Sequence, residues 1–422
     1  MDKMLETLLE TYNTNLIDSA DKRVQEALMI TSRSHCDDGK GRTVLMDLIC
    51  NHFNKSMIKP HPDFIGGPES LTLHWSEKYQ KLIYIFGEHH TSEMNCGVYG
   101  KKGSEFMSVE YFLSELIRTT DVFLDIYFEF PAYRGKKYHA SFNPFSKDLR
   151  MNKLLERFKT CLQYTTRSAD ECRFARIHYF DVRLQDLDGS YNSNNDISWY
   201  RLNVQYIIDN YPNSELVGKF KFLIENNPKI RFVLESLALT DDKKFLDFCK
   251  KQLYDNKYAM KEIGKIPSPL RGQILLFIEK EFEKQGKQHR KFWKKEIPNI
   301  LKHKSKTDAS FLEVFKNIYK YTTTLNSIIA DAYALSRMFK DFDMADIEKK
   351  AYIGATDQPS RAHNIIIYAG DAHSERYREF LKGIGFIQVA KTGVLNNTCL
   401  DMRKFPQPFF SGLPPRKKSW WK

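Results

Sequence analysis

Four largely apolar runs, at 82–86, 122–128, 177–182 and 364–369, constrain what this chain of 422 residues can become. Each has the length of a strand and is apolar at odd and even positions alike, as a strand covered by helices on both faces must be. Between the first two lies an amphipathic helix, with Val109, Phe112, Leu113, Leu116 and Ile117 at i, i+3, i+4, i+7 and i+8. Strand, helix, strand in about fifty residues is a βαβ unit, which requires a parallel sheet and a right-handed crossover. A hairpin, 71–75 and 81–86, opens the sheet, and 386–389 with 393–395 close it. The expected class is therefore α/β: a mostly parallel sheet with flanking helices, a large helical insertion, an N-terminal appendage and a basic C-terminal tail.

The division expected is 1–64 for the appendage, 65–395 for the α/β core and 396–422 for the tail. Residues 195–345 read as helix, broken near Pro212, Pro228, Pro267, Pro269 and Pro298, and are too long for one crossover. Helices are also expected at 2–12 and 43–54. Beyond Met402, Pro406, Pro408, Pro414 and Pro415 lead to Arg416-Lys417-Lys418-Ser419-Trp420-Trp421-Lys422, an extended arm. The N-terminus lacks a secretory apolar segment, and no run of eighteen apolar residues occurs. Seven cysteines, an odd number without a C-x-x-C pair, read as reduced, packed thiols in an intracellular, cytoplasmic setting. The net charge of +12 is concentrated: 277–306 hold ten Lys/Arg against four Glu, and 403–422 hold six and no acid. Both patches suit a polyanion or an acidic partner, although neither carries a nucleic-acid motif, and a solvated helix face is the plainer alternative.

In open α/β sheets ligands gather outside the carboxyl ends of the parallel strands. The first run ends in Gly87-Glu88-His89-His90; the second carries Asp125 and finishes at Glu129. The third ends in Asp181-Val182-Arg183 and the fourth in Gly370-Asp371-Ala372-His373. Glycine lets the chain turn sharply off the strand, and the histidine three residues on points back over the strand end. That spacing favours His90 over His89, since adjacent residues on a turn diverge. Asp125 either reaches the pocket or pairs with Arg183, because an unpaired carboxylate in an apolar strand is costly. Asp181 and Arg183 share a strand face and are equally readable as a structural ion pair. Asp331 and Arg337, six apart on a late helix, lie about 120° apart around it, so at most one reaches the site. Two histidines with Glu88 and Asp371 beside them suit a divalent metal held by His90, His373 and Glu88, or a metal-free base and orienting pair.

The two Gly-x-x-His motifs, Ile85-Phe86-Gly87-Glu88-His89-His90 and Ile367-Tyr368-Ala369-Gly370-Asp371-Ala372-His373, resemble those of the TraB/Tiki family. That family belongs with ChaN-type haem-binding and erythromycin-esterase-like proteins, whose "G-E-x-H" start the first motif also resembles. The likeness covers about 81–130 and 360–390, with 181–183 as a possible third block. It implies His90 and His373 as principal site histidines and Glu88 as acidic partner. Tiki-type members are regarded as metal-dependent peptidases, whereas esterase-like members use His and Glu without metal. The expectation is a hydrolase of an amide or ester bond in a small molecule or peptide. A bound Mn, Co or Zn ion activates water, Asp371 or Glu88 accepts its proton and Arg183 stabilises the oxyanion. The alternatives are a non-catalytic assembly protein, such as a virion component of a large DNA virus, and a haem- or metal-binding module.

Overall fold

The computed structural model describes residues 60–89, 96, 105–120, 122–131, 153–154, 157–158, 175–182, 196–302, 307–343, 359–393 and 398–410. The helices expected at 2–12 and 43–54 and the end of the tail lie outside these residues. Strands β1 (Phe64–Gly66), β2 (Ser70–Ser76), β3 (Lys81–Glu88), β4 (Phe106–Ser108), β5 (Leu124–Pro131) and β6 (Ala175–Asp181) occupy the first half. Strands β7 (Asn364–Gly370), β8 (Ile387–Thr392) and β9 (Cys399–Asp401) occupy the end.

The main sheet has six strands in the order β6-β5-β7-β3-β2-β8. The four apolar runs are its parallel strands: β3 pairs with β7, β7 with β5 and β5 with β6. All eight residues of β3 and all seven of β7 are buried, the pattern of strands covered on both faces. β2 returns antiparallel to β3 through a tight turn in which Gln80 takes φ 50°, and β8 adds antiparallel to β2. The fold is thus α/β with a mixed, mostly parallel sheet.

Helix α1 (Val109–Thr119) buries the five apolar positions expected of it, and Ser108 caps it by accepting from the Tyr111 N–H. Helices α2 (Asp196–Asn210), α3 (Asn213–Asn226), α4 (Pro228–Leu237), α5 (Asp242–Tyr254), α6 (Lys257–Gly264), α7 (Ser268–Leu301) and α8 (Asp308–Phe339) fill the middle of the chain. Pro212, Pro228 and Pro267 stand at helix starts, where a missing N–H costs nothing. Pro298 does not break its helix as expected. It lies in the last turn of α7, which runs on to Leu301. Helix α9 (Asp371–Gly383) follows β7 directly.

The two faces of the sheet are covered differently. On one, Tyr84 stacks on Phe409 with ring centroids 4.0 Å apart, and Phe86 meets Phe112 of α1. On the other lie α8 and α9. The segment after Met402 therefore corrects the expected free arm: Phe405, Phe409 and Phe410 are buried, and the Phe410 N–H donates to Tyr84 Oη at 3.2 Å. Aromatic side chains at this spacing are core, not arm.

A second small sheet, β4-β1-β9, joins the ends of the described chain. There Cys96 and Cys399 form a disulfide with Cα atoms 5.0 Å apart, closing a separation of 303 residues. The expectation of reduced thiols throughout is overturned at this pair, because partners so far apart in sequence leave no local spacing to read. Cys249 is buried and free, and burial raises its thiol well above the usual range. No helix among the described residues is long and apolar enough to cross a membrane.

Candidate functional site

β7 ends at Gly370 and α9 begins at Asp371, so the strand runs straight into a helix whose first turn lies over the sheet edge. Ser374 fixes that turn by donating through Oγ to the Phe86 carbonyl of β3 at 2.9 Å. Gly370 holds the helix N-cap position. At position 87 any side chain would have to displace the Ser70–Asp371 hydrogen bond. A Cβ there would stand 2.2 Å from Asp371 Oδ1 and 2.5 Å from Ser70 Oγ.

This turn buries His373 and presents each ring nitrogen to a carboxylate. Nδ1 lies 2.5 Å from Asp331 Oδ1, and Nε2 lies 3.0 Å from Glu129 Oε1. Asp331 comes from α8 and Glu129 from the end of β5, so three elements converge on one imidazole. Glu129 Oε2 accepts from the Gly370 N–H at 2.8 Å, which fixes the carboxylate against the strand end. Arg376, one turn along α9, donates to the far oxygen of Asp331 and, through Nη2, to Ser327 Oγ at 2.8 Å. The edge of Phe180 closes one side, its centroid 5.9 Å from that of His373.

The charges follow from this packing. Burial alone would push His373 down, but the carboxylates of Glu129 and Asp331 outweigh it and hold the imidazole above its ordinary value. Burial would raise Asp331, yet Arg376 and His373 hold it below the usual carboxylate range. Burial and the neighbouring Asp331 push the Tyr377 phenol well up, so it stays protonated. The arrangement is an imidazole between two carboxylates that favour its protonated form, with one guanidinium on the second oxygen of Asp331.

The other candidates are distributed by strand geometry. Phe86 pairs with Tyr368 across β3 and β7, and Phe128 with Tyr368 across β5 and β7. Glu88 is two residues past Phe86 and Glu129 one past Phe128, so alternation puts them on opposite faces. Glu88 accordingly accepts from the Tyr368 hydroxyl on the face covered by α1, away from His373. Asp371 also turns away, accepting from Ser70 Oγ at 2.8 Å and from Arg378 at 3.4 Å. His89 is exposed, with Glu69 3.7 Å from its ring. Asp181 ends β6 buried at the same sheet edge. His90 and Arg183 lie outside the described residues.

Asp125, the second residue of β5, sits at the opposite end of the strands. It accepts from Arg176 at 2.6 and 3.2 Å and from His178 Nε2 at 2.8 Å. Arg337 goes there too, donating to His178 Nδ1 at 3.0 Å. Of the two candidate residues on α8, Asp331 and Arg337, Asp331 alone reaches the site. Arg376 carried a readable signal that sequence reasoning missed, because three residues after His373 at a helix start puts it on the same helical face.

The described donors do not fit a metal. Asp331 and Glu129 lie on opposite sides of the His373 ring, so the three groups share protons in a line and do not converge on one point. No group of three His, Cys, Asp or Glu among the described residues is placed to hold an ion. Comparison with protein-family models, with curated proteins and with solved structures gives no match to this chain.

Proposed function

We infer that the chain hydrolyses an amide or ester bond, with Glu129, His373 and Asp331 as its acid–base centre. One observation carries this reading: a buried histidine at the carboxyl edge of a parallel sheet has a carboxylate on each ring nitrogen. The placement suits proton transfer. Asp331 accepts the hydrogen bond of Nδ1–H, orients the ring and stabilises its charge, itself held by Arg376. At the other nitrogen, Glu129 accepts a proton from the attacking water while the Nε2–H of His373 is given to the departing amine or alcohol. The C–O bond forms as the C–N or C–O bond breaks. The proton on Glu129 then crosses the 3.0 Å contact to His373 and restores both groups.

The likeness of the two Gly-x-x-His turns to esterase-like members of the TraB/Tiki superfamily supports the same reaction class. The metal-free branch agrees better with the donor geometry around His373.

The test is hydrolysis of a panel of chromogenic esters and fluorogenic peptides by the purified chain. Wild type turns over at least one of them, and His373→Ala and Glu129→Gln lose about 10²- to 10⁴-fold of that rate. Circular dichroism confirms that the variants fold; Glu129→Gln is isosteric and keeps the contact to Gly370. Undiminished turnover in folded Glu129→Gln, or no turnover of any substrate by wild type, overturns the reading.

A further inference from the structure

Helix α7 carries a line of lysines that the acid–base centre does not use. Lys280, Lys284, Lys287, Lys291 and Lys294 are all exposed and are spaced by four, three, four and three residues. At about 100° per residue the five fall within about 40° of one line, and at 1.5 Å per residue they span about 21 Å. Exposed residues between 280 and 295 comprise six lysines, Gln288 and one acid, Glu283.

Neighbouring elements neutralise the two flanking positions only. Lys284 lies 3.5 Å from Glu281 and 3.4 Å from Glu379 of α9, and Lys294 lies 3.9 Å from Asp242 of α5. Lys280, Lys287 and Lys291 have no ion-pair partner among the described residues. Like charges at i,i+3 and i,i+4 each destabilise a helix by a few tenths of a kcal/mol. Stacking them along one face is therefore unfavourable until an opposite charge arrives.

We propose that this face of α7 docks the phosphodiester backbone of a nucleic-acid duplex, without reading its sequence. Three features select that occupant. First, the charges lie in a straight row: at 3.4 Å of duplex axis per phosphate on each strand, the row's length of about 21 Å matches the axial span of about six phosphates per strand. Second, the donors are lysines, which meet phosphates as point charges, with no exposed arginine fork among them to recognise a base edge. Third, no large hydrophobic side chain is exposed between 280 and 295, so the face has nothing to insert into a lipid surface or to stack on unpaired bases.

The experiment is fluorescence anisotropy of a labelled duplex of about 20 base pairs with the full chain and its Lys280→Gln/Lys287→Gln/Lys291→Gln variant, across salt concentrations. These lysines are exposed, and an unchanged melting curve shows that the triple variant folds. Wild type binds with an affinity that falls steeply with salt. The variant loses on the order of tenfold or more at about 100 mM salt, and its log–log salt slope falls by about 2.7, three contacts at about 0.9 each. Equal binding by wild type and variant overturns the proposal, as does loss of binding on removing 411–422 when the triple variant still binds. Displacement of the duplex by polyglutamate or by anionic vesicles at equal charge overturns the choice of occupant. None of these readouts depends on hydrolysis, so this proposal and the acid–base reading stand or fall separately.

Discussion

His178 and His373 both lie between the parallel strands and helix α8, at opposite ends of the sheet, and their titration is displaced in opposite directions. His373 meets carboxylates on both nitrogens and is held above its ordinary value. His178 meets one carboxylate, Asp125, while Arg337 donates to its other nitrogen. A donor at Nδ1 forbids a second proton there. Burial and then the two guanidiniums overcome Asp125, and His178 is lowered to about 3. The two residues of α8 that set this difference, Asp331 and Arg337, are six apart. One helix thus raises the proton affinity of the imidazole at one end of the sheet and lowers that of the imidazole at the other.

The largest expected effect is at the His178 end. Asp125 is fully buried and compensates both Arg176 and His178. Asp125→Ala leaves the partly buried Arg176 guanidinium without its carboxylate, though still donating to the Pro359 carbonyl at 3.2 Å. It should cost about 3 kcal/mol in urea denaturation, the low end for a buried pair. Activity per folded molecule should stay that of wild type. A cost below about 1 kcal/mol would break the comparison, since both ends would then be equally dispensable to the fold.

The pH dependence has opposite signs at the two ends. Unfolded, His178 titrates near 6.5; folded, it refuses the proton down to about 3. Above 6.5 neither state is charged, so nothing is lost. As pH falls through 6.5 the unfolded chain binds a proton that the fold does not, and stability declines until about pH 3. Asp125, lowered to about 2, adds a loss in the same direction at still lower pH. For His373 the raised folded value reverses the sign: its contribution is complete below 6.5 and disappears as pH rises through the folded value. Between pH 7 and pH 5 the His178 term alone amounts to about 2 kcal/mol, set by the unfolded value as long as the folded one lies below 5. It is read as the difference in urea midpoint slope between wild type and His178→Asn, which leaves the His373 contribution common to both. Equal slopes would show that His178 is not neutral in the fold.

A sharper probe replaces one atom at the His373 end. Asp331→Asn removes one of the two carboxylates on His373 and should lower its titration midpoint, followed by the ring carbon resonances in NMR. The midpoint of His178 should not move. Hydrolysis should fall because the ring loses the negative charge that stabilises its protonated form, and its pH optimum should shift downward with the histidine. An unmoved His373 midpoint would assign its charge to Glu129 alone.

These contrasts explain how far the sequence could be read. The four parallel strands, the helix at 109–119 and the helical middle were legible because period and apolarity are local. His373 was legible because the turn after a strand has a known direction. The role of Asp331 was not, since the choice between Asp331 and Arg337 depends on which end of the sheet each turn of α8 meets. Glu88 was drawn to the site by its neighbours in sequence, but the offset between Phe86 and Phe128 against Tyr368 sends it to the other face. Register between distant strands has no local sign. The same holds for Cys96 with Cys399, and for Phe409 on Tyr84.

Asp371 gives the smallest effect and the cleanest test of that separation of faces. Its motif places it two residues from His373, and sequence alone makes it a proton acceptor. In the fold it is partly exposed and shares Ser70 and Arg378, while Arg378 also reaches Thr72 and Glu375. Removing the charge therefore leaves Arg378 with other partners. Asp371→Asn should cost on the order of 0–1 kcal/mol, as partly exposed pairs do. It should also leave the His373 midpoint and the hydrolysis rate at their wild-type values, in contrast to Asp331→Asn. A rate loss comparable to that of Glu129→Gln would place Asp371 among the reacting groups, and would mean that α9 turns on its axis when substrate binds.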